Sequence, residues 1–438
     1  MYRASPLAIT LTVLVVLIIA TYAGFVMDPI KPHLYEYGKV FAWVTGEWVW
    51  IYASLNIIIA MRPPVLDRMY PVDYWYRIHK WLGITAAIIA LFHFIGKDFM
   101  LNLVYLVDIP YDSISGPSWP PRHPLRRELA EELGEVTIGI FLVLLIITFV
   151  PKVPYKYWRM THKFFALGYL AMLYHLWALM PGNRYHEPLS YILWVVTFFG
   201  CIGAIITIFG LAGAHRRKKV SLVEGSYEQN TNMITLKAEQ PINAKVGQFF
   251  FLKYDRENFH PFSAYSLDGD KVSFLIKGYG NFTKNLAAKL KGAGKIVIEG
   301  PYGKFDPLDI QQGQKVLYFA QGVGIAPFAG AITALEKQGG DASNMHIVLV
   351  SAEGRSDSTA AYLNETLDKL KARGATVDYH SGKDEGHYGA NKVNDLLAKG
   401  FDKVFYCGNA ELGKNIRRSF TYHGGSRANF HQEFCTWR

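Results

Sequence analysis

The sequence predicts a six-helix transmembrane bundle followed by a soluble module in two parts, the second a doubly wound α/β domain. Three observations carry that expectation. Residues 1–214 are dense in Leu, Ile, Val, Trp and Tyr, whereas the chain from about 215 has an ordinary mixed composition. The first half contains six apolar runs of membrane-crossing length. From about residue 314, short apolar strands alternate with helices and glycine turns, the pattern of a parallel sheet. The expected domains are 1–214, 215–310 and 311–438.

The six runs are roughly Leu7–Met27, Val40–Met61, Ile78–Gly96, Val136–Val150, Lys163–Met180 and Leu189–Ala212. The fourth is short, so its start is expected nearer Leu133. They are apolar nearly all round and too numerous to be the buried helices of a soluble bundle. The N-terminus has one basic residue, Arg3, and no clear cleavage site, so it reads as a first span and not a signal peptide. Lys and Arg in the connections set the orientation. Arg62, Arg68 and Arg77, then Lys152, Lys156 and Arg159, then HRRKK at 215–219 share one side, which should be the cytoplasm. Both termini are then inside a multi-pass protein of the plasma or inner membrane. Residues 97–132 become an outer cap rich in proline, despite Lys97, Arg122, Arg126 and Arg127.

The formal net charge is +10. Much of it flanks the spans, so the expected partner is the lipid bilayer and not nucleic acid. The three cysteines, Cys201, Cys407 and Cys435, form no CxxC and no CxxCH. That excludes thiolate zinc, iron–sulfur and c-type haem sites.

Two stretches inside the apolar half share one plan. RIHKWLGITAAIIALFHFIG carries His79 and His93, 14 residues apart, and HKFFALGYLAMLYH carries His162 and His175, 13 apart. On helices each pair lies near one face, with on the order of 20 Å between its members. A lone histidine on an apolar helix is usually a hydrogen-bonded core residue. Two matched pairs in membrane helices point instead to function. Two helices side by side would clamp two stacked haems, His79 with His162 on the inner side and His93 with His175 on the outer. Copper or zinc would need all ligands of one site within a few ångströms, which this separation opposes. Trp81, Phe92, Phe94, Phe164, Phe165, Tyr169, Tyr174 and Trp177 surround the pairs, most as ordinary core or lipid-facing aromatics.

In the second half, residues 218–305 are strand-rich. VGQFFFLKY at 246–254 reads as a buried strand, followed by HPFSAYSL at 260–267. VSFLIKGYGNFTKNLAAKL at 272–290 reads as strand, turn and helix, with an anion-favouring turn near Gly278–Thr283. IVIEGPYGKF at 296–305 ends this part with another glycine turn. Then come a strand with the GVGIAP turn at 322–327 and a helix, the strand HIVLVSAEG with helix Ala360–Arg373, the strand ATVDYHSG with helix Lys392–Lys399, and the strand KVFYCGN with helix Ala410–His423.

In order, HPFS, KGYGNFT, GPYG, GVGIAP, CGN and an aromatic carboxyl end resemble the ferredoxin-reductase superfamily. Joined to six spans and the histidine pairs, the chain resembles the NADPH oxidase and ferric reductase transmembrane family, in the minimal form of its bacterial oxidases. The resemblance implies an antiparallel β-barrel for FAD, a nicotinamide domain, and two b-type haems held by His79, His93, His162 and His175. It implies that His260, Pro261, Phe262 and Ser263 hold the flavin, with Ser263 near its reactive nitrogen. Lys277, Gly278, Gly280, Asn281 and Thr283 would meet the FAD pyrophosphate. Gly322, Gly324 and Pro327 would form the dinucleotide turn, with Cys407, Gly408 and Asn409 beside the nicotinamide. Phe434 would cover the flavin, with Trp437 as rival. Arg355 would reach the 2′-phosphate of NADPH, NADH being the other donor. Cys407, Ser263 and Phe434 would thus stand at the reacting atoms.

The expected function is electron transfer from cytosolic NADPH through FAD and two haems to external oxygen, giving superoxide. Ferric chelates or another external acceptor are the alternative. Nothing suggests an obligatory protein activator. The family's oxidases often carry an aromatic between the haems on the fifth helix, where this chain has Gly168 beside Tyr169. Lys97, one turn beyond His93, reads as an interfacial lysine.

Overall fold

The computed structural model describes residues 5–27, 34–106, 124–150, 153–180 and 186–433. The chain divides into two compact units, 3–213 and 214–438.

The first unit is helical: α1 (Pro6–Met27), α2 (Leu34–Ala60), α3 (Pro64–Met69), α4 (Val72–Leu106), α5 (Pro124–Phe149), α6 (Tyr155–His162), α7 (Phe164–Leu179) and α8 (Pro188–Ile208). Four of the six expected spans are long and apolar enough to cross a membrane: α1, residues Val72–Lys97 of α4, residues Leu125–Phe149 of α5, and α8. The other two fall short. α2 is diluted by Glu47, Asn56 and its tryptophans, and α7 has only 16 residues. Outward-facing Ile19, Val26, Val136, Ile140, Val143, Ile146, Val195 and Phe198 are all exposed, an apolar surface that suits lipid.

Three expectations change. α5 starts at Pro124, well before Leu133, because proline favours a first helical turn and Leu125–Leu133 continues it. α4 runs on to Leu106, so the helix ends bracket a shorter connection than 97–132, and residues 107–123 lie outside those described. His162 also ends α6 instead of opening the fifth span. The Lys163 N–H bonds Met160 O and the Ala166 N–H bonds Lys163 O, a tighter i→i−3 turn that interrupts the helix.

Hydrogen bonds suited to a low-dielectric interior join the helices. Tyr52 Oη donates to Thr10 O at 2.8 Å, Trp48 Nε1 to Thr21 Oγ1 at 3.1 Å and Trp50 Nε1 to Thr197 Oγ1 at 2.7 Å. These ties bind α2 to α1 and α8. Small residues admit the neighbours: a Cβ on Gly200 would overlap the Tyr169 hydroxyl, and one on Gly203 would lie 2.9 Å from Ile57 Cγ2.

The second unit begins with a closed barrel in the order β1-β2-β5-β4-β3-β6. Its strands are β1 (Arg217–Glu228), β2 (Thr231–Ala238), β3 (Phe249–Tyr254), β4 (His260–Asp268), β5 (Lys271–Lys277) and β6 (Ile296–Tyr302), with α9 (Leu286–Lys291) after β5. The basic run at 215–219 enters this barrel. Arg217 pairs in register with Glu299 and bonds its fully buried carboxylate at 3.0 Å, while Arg216 donates to Pro301 O at 2.7 Å. Part of the charge read as a membrane flank is therefore spent on barrel closure.

A five-stranded parallel sheet follows, in the order β11-β10-β7-β8-β9. It comprises β7 (Val316–Gln321), β8 (Met345–Ser351), β9 (Thr376–Ser381), β10 (Lys403–Cys407) and β11 (Phe430–Glu433). The connecting helices are α10 (Ala326–Gln338), α11 (Ser358–Ala361), α12 (Asn364–Ala372), α13 (Gly382–Glu385), α14 (Ala390–Leu397) and α15 (Ala410–Tyr422). The helix expected over 360–373 is split, because Asp357 caps an early turn by accepting from Thr359 N. The short β11, with its polar FHQE sequence, was not expected.

Gly168 on α7 is shaped by α5. A Cβ there would overlap the Phe141 ring, whereas nothing lies within 4 Å of a Cβ on Gly139. Gly139→Ala should therefore stabilise the detergent-solubilised protein by up to about 1 kcal/mol through helix propensity. Gly168→Ala should destabilise it by about 1–3 kcal/mol through overpacking, read as opposite shifts in Tm.

Candidate functional site

The helical unit brings His79 of α4 and His162 of α6 face to face, with ring centroids 6.0 Å apart and planes at 59°. Metal–nitrogen bonds of about 2 Å on each side, plus half an imidazole beyond each, give about 6 Å between ring centres. Among the described residues no three His, Cys, Asp or Glu side chains converge on a metal position. Two facing imidazoles suit an ion whose other ligands come from a macrocycle, which favours haem over bare copper or zinc.

Protonation supports the same reading. His79 Nδ1 donates to Asn56 O at 3.1 Å and His175 Nδ1 to Ala130 O at 2.7 Å, since a carbonyl can only accept. Thr45 Oγ1 lies 2.6 Å from Phe41 O and 3.0 Å from His93 Nδ1. Its single proton goes to the carbonyl, so His93 Nδ1 donates to the hydroxyl. In each neutral ring Nε2 then carries the lone pair that a metal requires. His162 differs, for its Nδ1 is buried with no hydrogen-bond partner. Glycines make room for the outer rings: a Cβ on Gly46 would lie 3.2 Å from His93 Cε1, and one on Gly134 2.6 Å from His175 Cε1. Lys97 reaches Glu135 at 3.4 Å, tying α4 to α5 beside Gly134.

The level between the two histidine pairs, where α7 has Gly168, is filled from the next helix. Phe141 enters over Gly168 and packs on Phe165 at 5.2 Å, and Phe165 meets His162 at 5.2 Å. Tyr169 is buried instead against α2, stacked on Trp50 at 4.3 Å and bonded to Ser54 Oγ at 2.7 Å. Trp81, Phe92, Phe164 and Trp177 face outward. Thr45, Asn56, Phe141 and Trp50 were not singled out from sequence. A threonine or asparagine within an apolar run was the available signal.

In the second unit the strand order reverses between β7 and β10, the position where a doubly wound sheet opens a ligand crevice. GVGIAP follows β7 and CGN follows β10, so the fold brings these motifs together. Gly322 has φ +56°. A Cβ on Gly324 would overlap the Cys407 carbonyl, and Asn409 N donates to Gln321 Oε1 at 3.0 Å. Pro327 lies in the first turn of α10, whose N-terminus opens on this crevice. Cys407 is fully buried, and a Cβ on Gly408 would crowd Gln321 and the Tyr406 hydroxyl. The Asn409 side chain caps α15.

The HPFS residues lie on β4, with Ser263 opposite Phe249, Phe262 opposite Phe250 and Pro261 opposite Phe251. His260 stacks on Phe282 at 3.8 Å. The turn after β5 is more self-satisfied than expected. Gly278 N donates to Asn230 O at 2.8 Å and Gly280 N to Thr283 Oγ1 at 3.1 Å, so these N–H groups are already used. Asn281 O accepts from Lys289, and α9 is only six residues long. Fully buried Asn232 on β2, missed from sequence, pins this turn through Ile276 O, Thr283 O and Ala287 N.

Two residues assigned to phosphates have protein partners. Lys277 Nζ lies 3.4 Å from both Asp357 oxygens, across the seam between barrel and sheet. Arg355 pairs closely with Asp368 and sits 5.5 Å from the Tyr379 ring centre. Phe434 and Trp437 lie outside the described residues. At the same seam Tyr265 Oη donates to Tyr362 O at 3.3 Å, and burial pushes its phenol up to about 12, so it stays a donor.

Residues 45–173 match the model of the ferric reductase like transmembrane component, and residues 214–306 that of an FAD-binding domain. The first match contains His79, His93 and His162 and stops two residues before His175. Dual oxidase 2 of Sus scrofa is 24% identical over 311 residues, 64% of this chain and 19% of that protein. The chain belongs to the NADPH oxidase and ferric reductase transmembrane family. As a member of that family it is a membrane flavoprotein of oxidoreductase type. The chain is also similar to a probable dihydroorotate dehydrogenase B (NAD(+)) electron transfer subunit of Methanocaldococcus jannaschii, 34% identical over 191 residues, 43% of this chain and 68% of that one. Among solved structures, a flavohemoglobin from Malassezia yamatoensis aligns at a TM-score of 0.47 and 15% identity over 91% of this chain and 99% of that one, too loosely to carry an argument.

Asp357 holds the reductase seam. Burial works to raise its carboxyl, but bonds from Thr359 and Lys277 outweigh this and hold it below the ordinary value. A carboxyl depressed in the folded state stabilises above its unfolded pKa of about 3.9 and loses that contribution as pH falls through the lower folded value. Asp357→Asn should therefore cost about 1–3 kcal/mol at pH 7. Its Tm deficit should shrink in acid, on approach to the folded carboxyl's own pKa.

Proposed function

We propose that this chain carries electrons from a cytosolic nicotinamide dinucleotide across the membrane to molecular oxygen, with superoxide as product, through FAD and two b-type haems. The observation that carries this reading is the facing pair His79–His162 at 6.0 Å, accompanied by three histidines whose Nδ1 protons are fixed by Asn56, Thr45 and Ala130. When bound, FAD would take two electrons from the dinucleotide and the haems would carry them singly. His79 with His162 would hold one haem and His93 with His175 the other.

In the reductase half, Gly322, Gly324 and the α10 N-terminus at Pro327 would hold the dinucleotide phosphates, with Cys407 and Gly408 lining the nicotinamide end. His260, Pro261, Phe262 and Ser263 would hold the flavin. Gly278, Gly280, Asn281 and Thr283 would meet its pyrophosphate once their internal bonds yield, and Lys277 would add charge from its place beside Asp357. Phe434 would cover the flavin. Arg355 would reach a 2′-phosphate only by leaving Asp368, which favours use of NADH as well as NADPH; the archaeal relative is itself named for NAD(+). The protein would sit in the plasma or inner membrane with six spans, both termini cytoplasmic, and would act without an obligatory activator. Reduction of ferric chelates over the same path is the second reading, favoured by the ferric reductase match over residues 45–173.

Anaerobic addition of NADH or NADPH to the purified protein should reduce flavin first and then two haems per chain. Flavin reduction with the haems left oxidised would contradict the pathway. His162→Ala should abolish haem reduction while flavin reduction continues. Oxygen and ferric citrate, added afterwards, separate the two acceptors. Asp368→Asn, by freeing Arg355, should shift kcat/KM towards NADPH by about fivefold, the worth of about 1 kcal/mol.

A further inference from the structure

Two turns flank the crevice of the parallel sheet, GVGIAP after β7 and CGN after β10. The last pair of the β7–β10 register is Ala320 with Cys407, so Gln321 and Gly408 leave that ladder side by side. Beyond this point the strands no longer hold the CGN turn, and a side chain does. Gln321 Oε1 accepts from Asn409 N at 3.0 Å. A main-chain N–H can only donate, so the bond also fixes which way the Gln321 amide is turned. Among the described residues it is the one side-chain hydrogen bond between GVGIAP with its preceding Gln321 and the CGN turn.

The fit is close as well as polar. A Cβ on Gly408 would lie 2.8 Å from Gln321 Cβ and 3.0 Å from Oε1, so Gln321 fills the place a side chain at 408 would need. The other polar groups of Asn409 are tied within its own segment. Its carbonyl accepts from Tyr406 Oη at 2.8 Å, and its Oδ1 accepts from Leu412 N at 2.8 Å as the cap of α15. Without Gln321 Oε1, the Asn409 N–H loses its acceptor and the turn loses its tie to the β7 side.

We propose that Gln321 is a positioning residue for hydride transfer: by locking the CGN turn to the β7 side, it fixes Cys407 and Gly408 at the nicotinamide end of the crevice. This rests on the reading that a nicotinamide dinucleotide binds there. The reaction moves one hydride, two electrons with one proton, from the dihydronicotinamide ring to the flavin, oxidising the first and reducing the second. A misplacement of about 1 Å can cost such a step on the order of a hundredfold. The dinucleotide phosphates fall to the backbone of Gly322, Gly324 and the α10 N-terminus, where the Gln321 side chain adds nothing. Loss of the lock therefore slows the chemical step more than it weakens binding.

The test is anaerobic rapid mixing of the FAD-loaded full chain with increasing NADH, and with NADPH as second donor. The limiting rate of flavin reduction reports the hydride step, and the concentration giving half that rate reports binding. Gln321→Leu keeps bulk beside Gly408 but removes the acceptor. It should lower the limiting rate by roughly tenfold and raise the half-saturating concentration by less than about twofold. Gln321→Glu keeps an oxygen for Asn409 N and should recover the limiting rate to within about twofold of the wild type. NADH deuterated at the transferred hydrogen should show a primary isotope effect in Gln321→Leu at least as large as in the wild type. FAD content and Tm, measured first, establish that each variant is folded, and Gln321→Met takes the place of a Gln321→Leu that is not. An unchanged limiting rate in the folded variant, a loss confined to half-saturation, a smaller isotope effect, or no recovery in Gln321→Glu overturns the proposal. Wild-type flavin that neither donor reduces overturns the underlying reading, and this is seen before any variant is made.

Discussion

An imidazole in an apolar bundle presents a bare nitrogen most securely when the protein takes charge of the other one. Left alone, the ring exchanges tautomers, and half of its polar capacity stays unsatisfied at a cost of about 1–3 kcal/mol. For His79, His93 and His175 the helical unit meets this constraint with main-chain carbonyls and one hydroxyl, whereas the buried Nδ1 of His162 has no hydrogen-bond partner. Ala130 O and Asn56 O serve His175 and His79, while Thr45 serves His93 and is itself oriented by Phe41 O. These acceptors sit on α2 and α5, the helices packed against the histidine-bearing α4 and α7. The bundle therefore does more than bury the rings. Glycines at 46 and 134 let the backbone come close enough for the acceptors to reach.

The reductase unit solves a different problem, with backbone in place of buried rings. A parallel sheet whose strand order reverses between β7 and β10 leaves one crevice, and both adjoining turns are glycine-rich because two chain segments meet there. Gly324 touches the Cys407 carbonyl, so neither turn tolerates a larger residue without moving the other. The barrel is fastened to this sheet by Lys277–Asp357 and by Thr231 Oγ1 with Ser358 Oγ at 2.5 Å. That seam explains why Lys277 faces protein where the motif pattern suggested a phosphate.

The elements legible in the sequence were those with strong periodicity. The apolar runs, the alternating strands and helices, and the GVGIAP and CGN turns all declare themselves through local composition. The paired histidines did so because polar residues are costly within apolar helices. What stayed hidden depends on neighbours distant in sequence. Thr45 lies 48 positions from His93, and no spacing rule connects them. Phe141 fills the space over Gly168 from another helix, so the missing aromatic at that position did not mean a missing aromatic in space. The break at Lys163 arises from a tightened turn that helical periodicity does not reveal. Arg355 looked available because Asp368 comes from the next helix but one.

The central claim is that electrons cross the membrane through the histidine sites. Its most direct measurement uses sealed proteoliposomes, with impermeant NADH supplied to one face and impermeant cytochrome c enclosed behind the other. The account predicts enclosed cytochrome c reduction that superoxide dismutase inside the vesicles suppresses, and that is lost in His162→Ala. Reduction confined to the NADH side, or undiminished in His162→Ala, would contradict it.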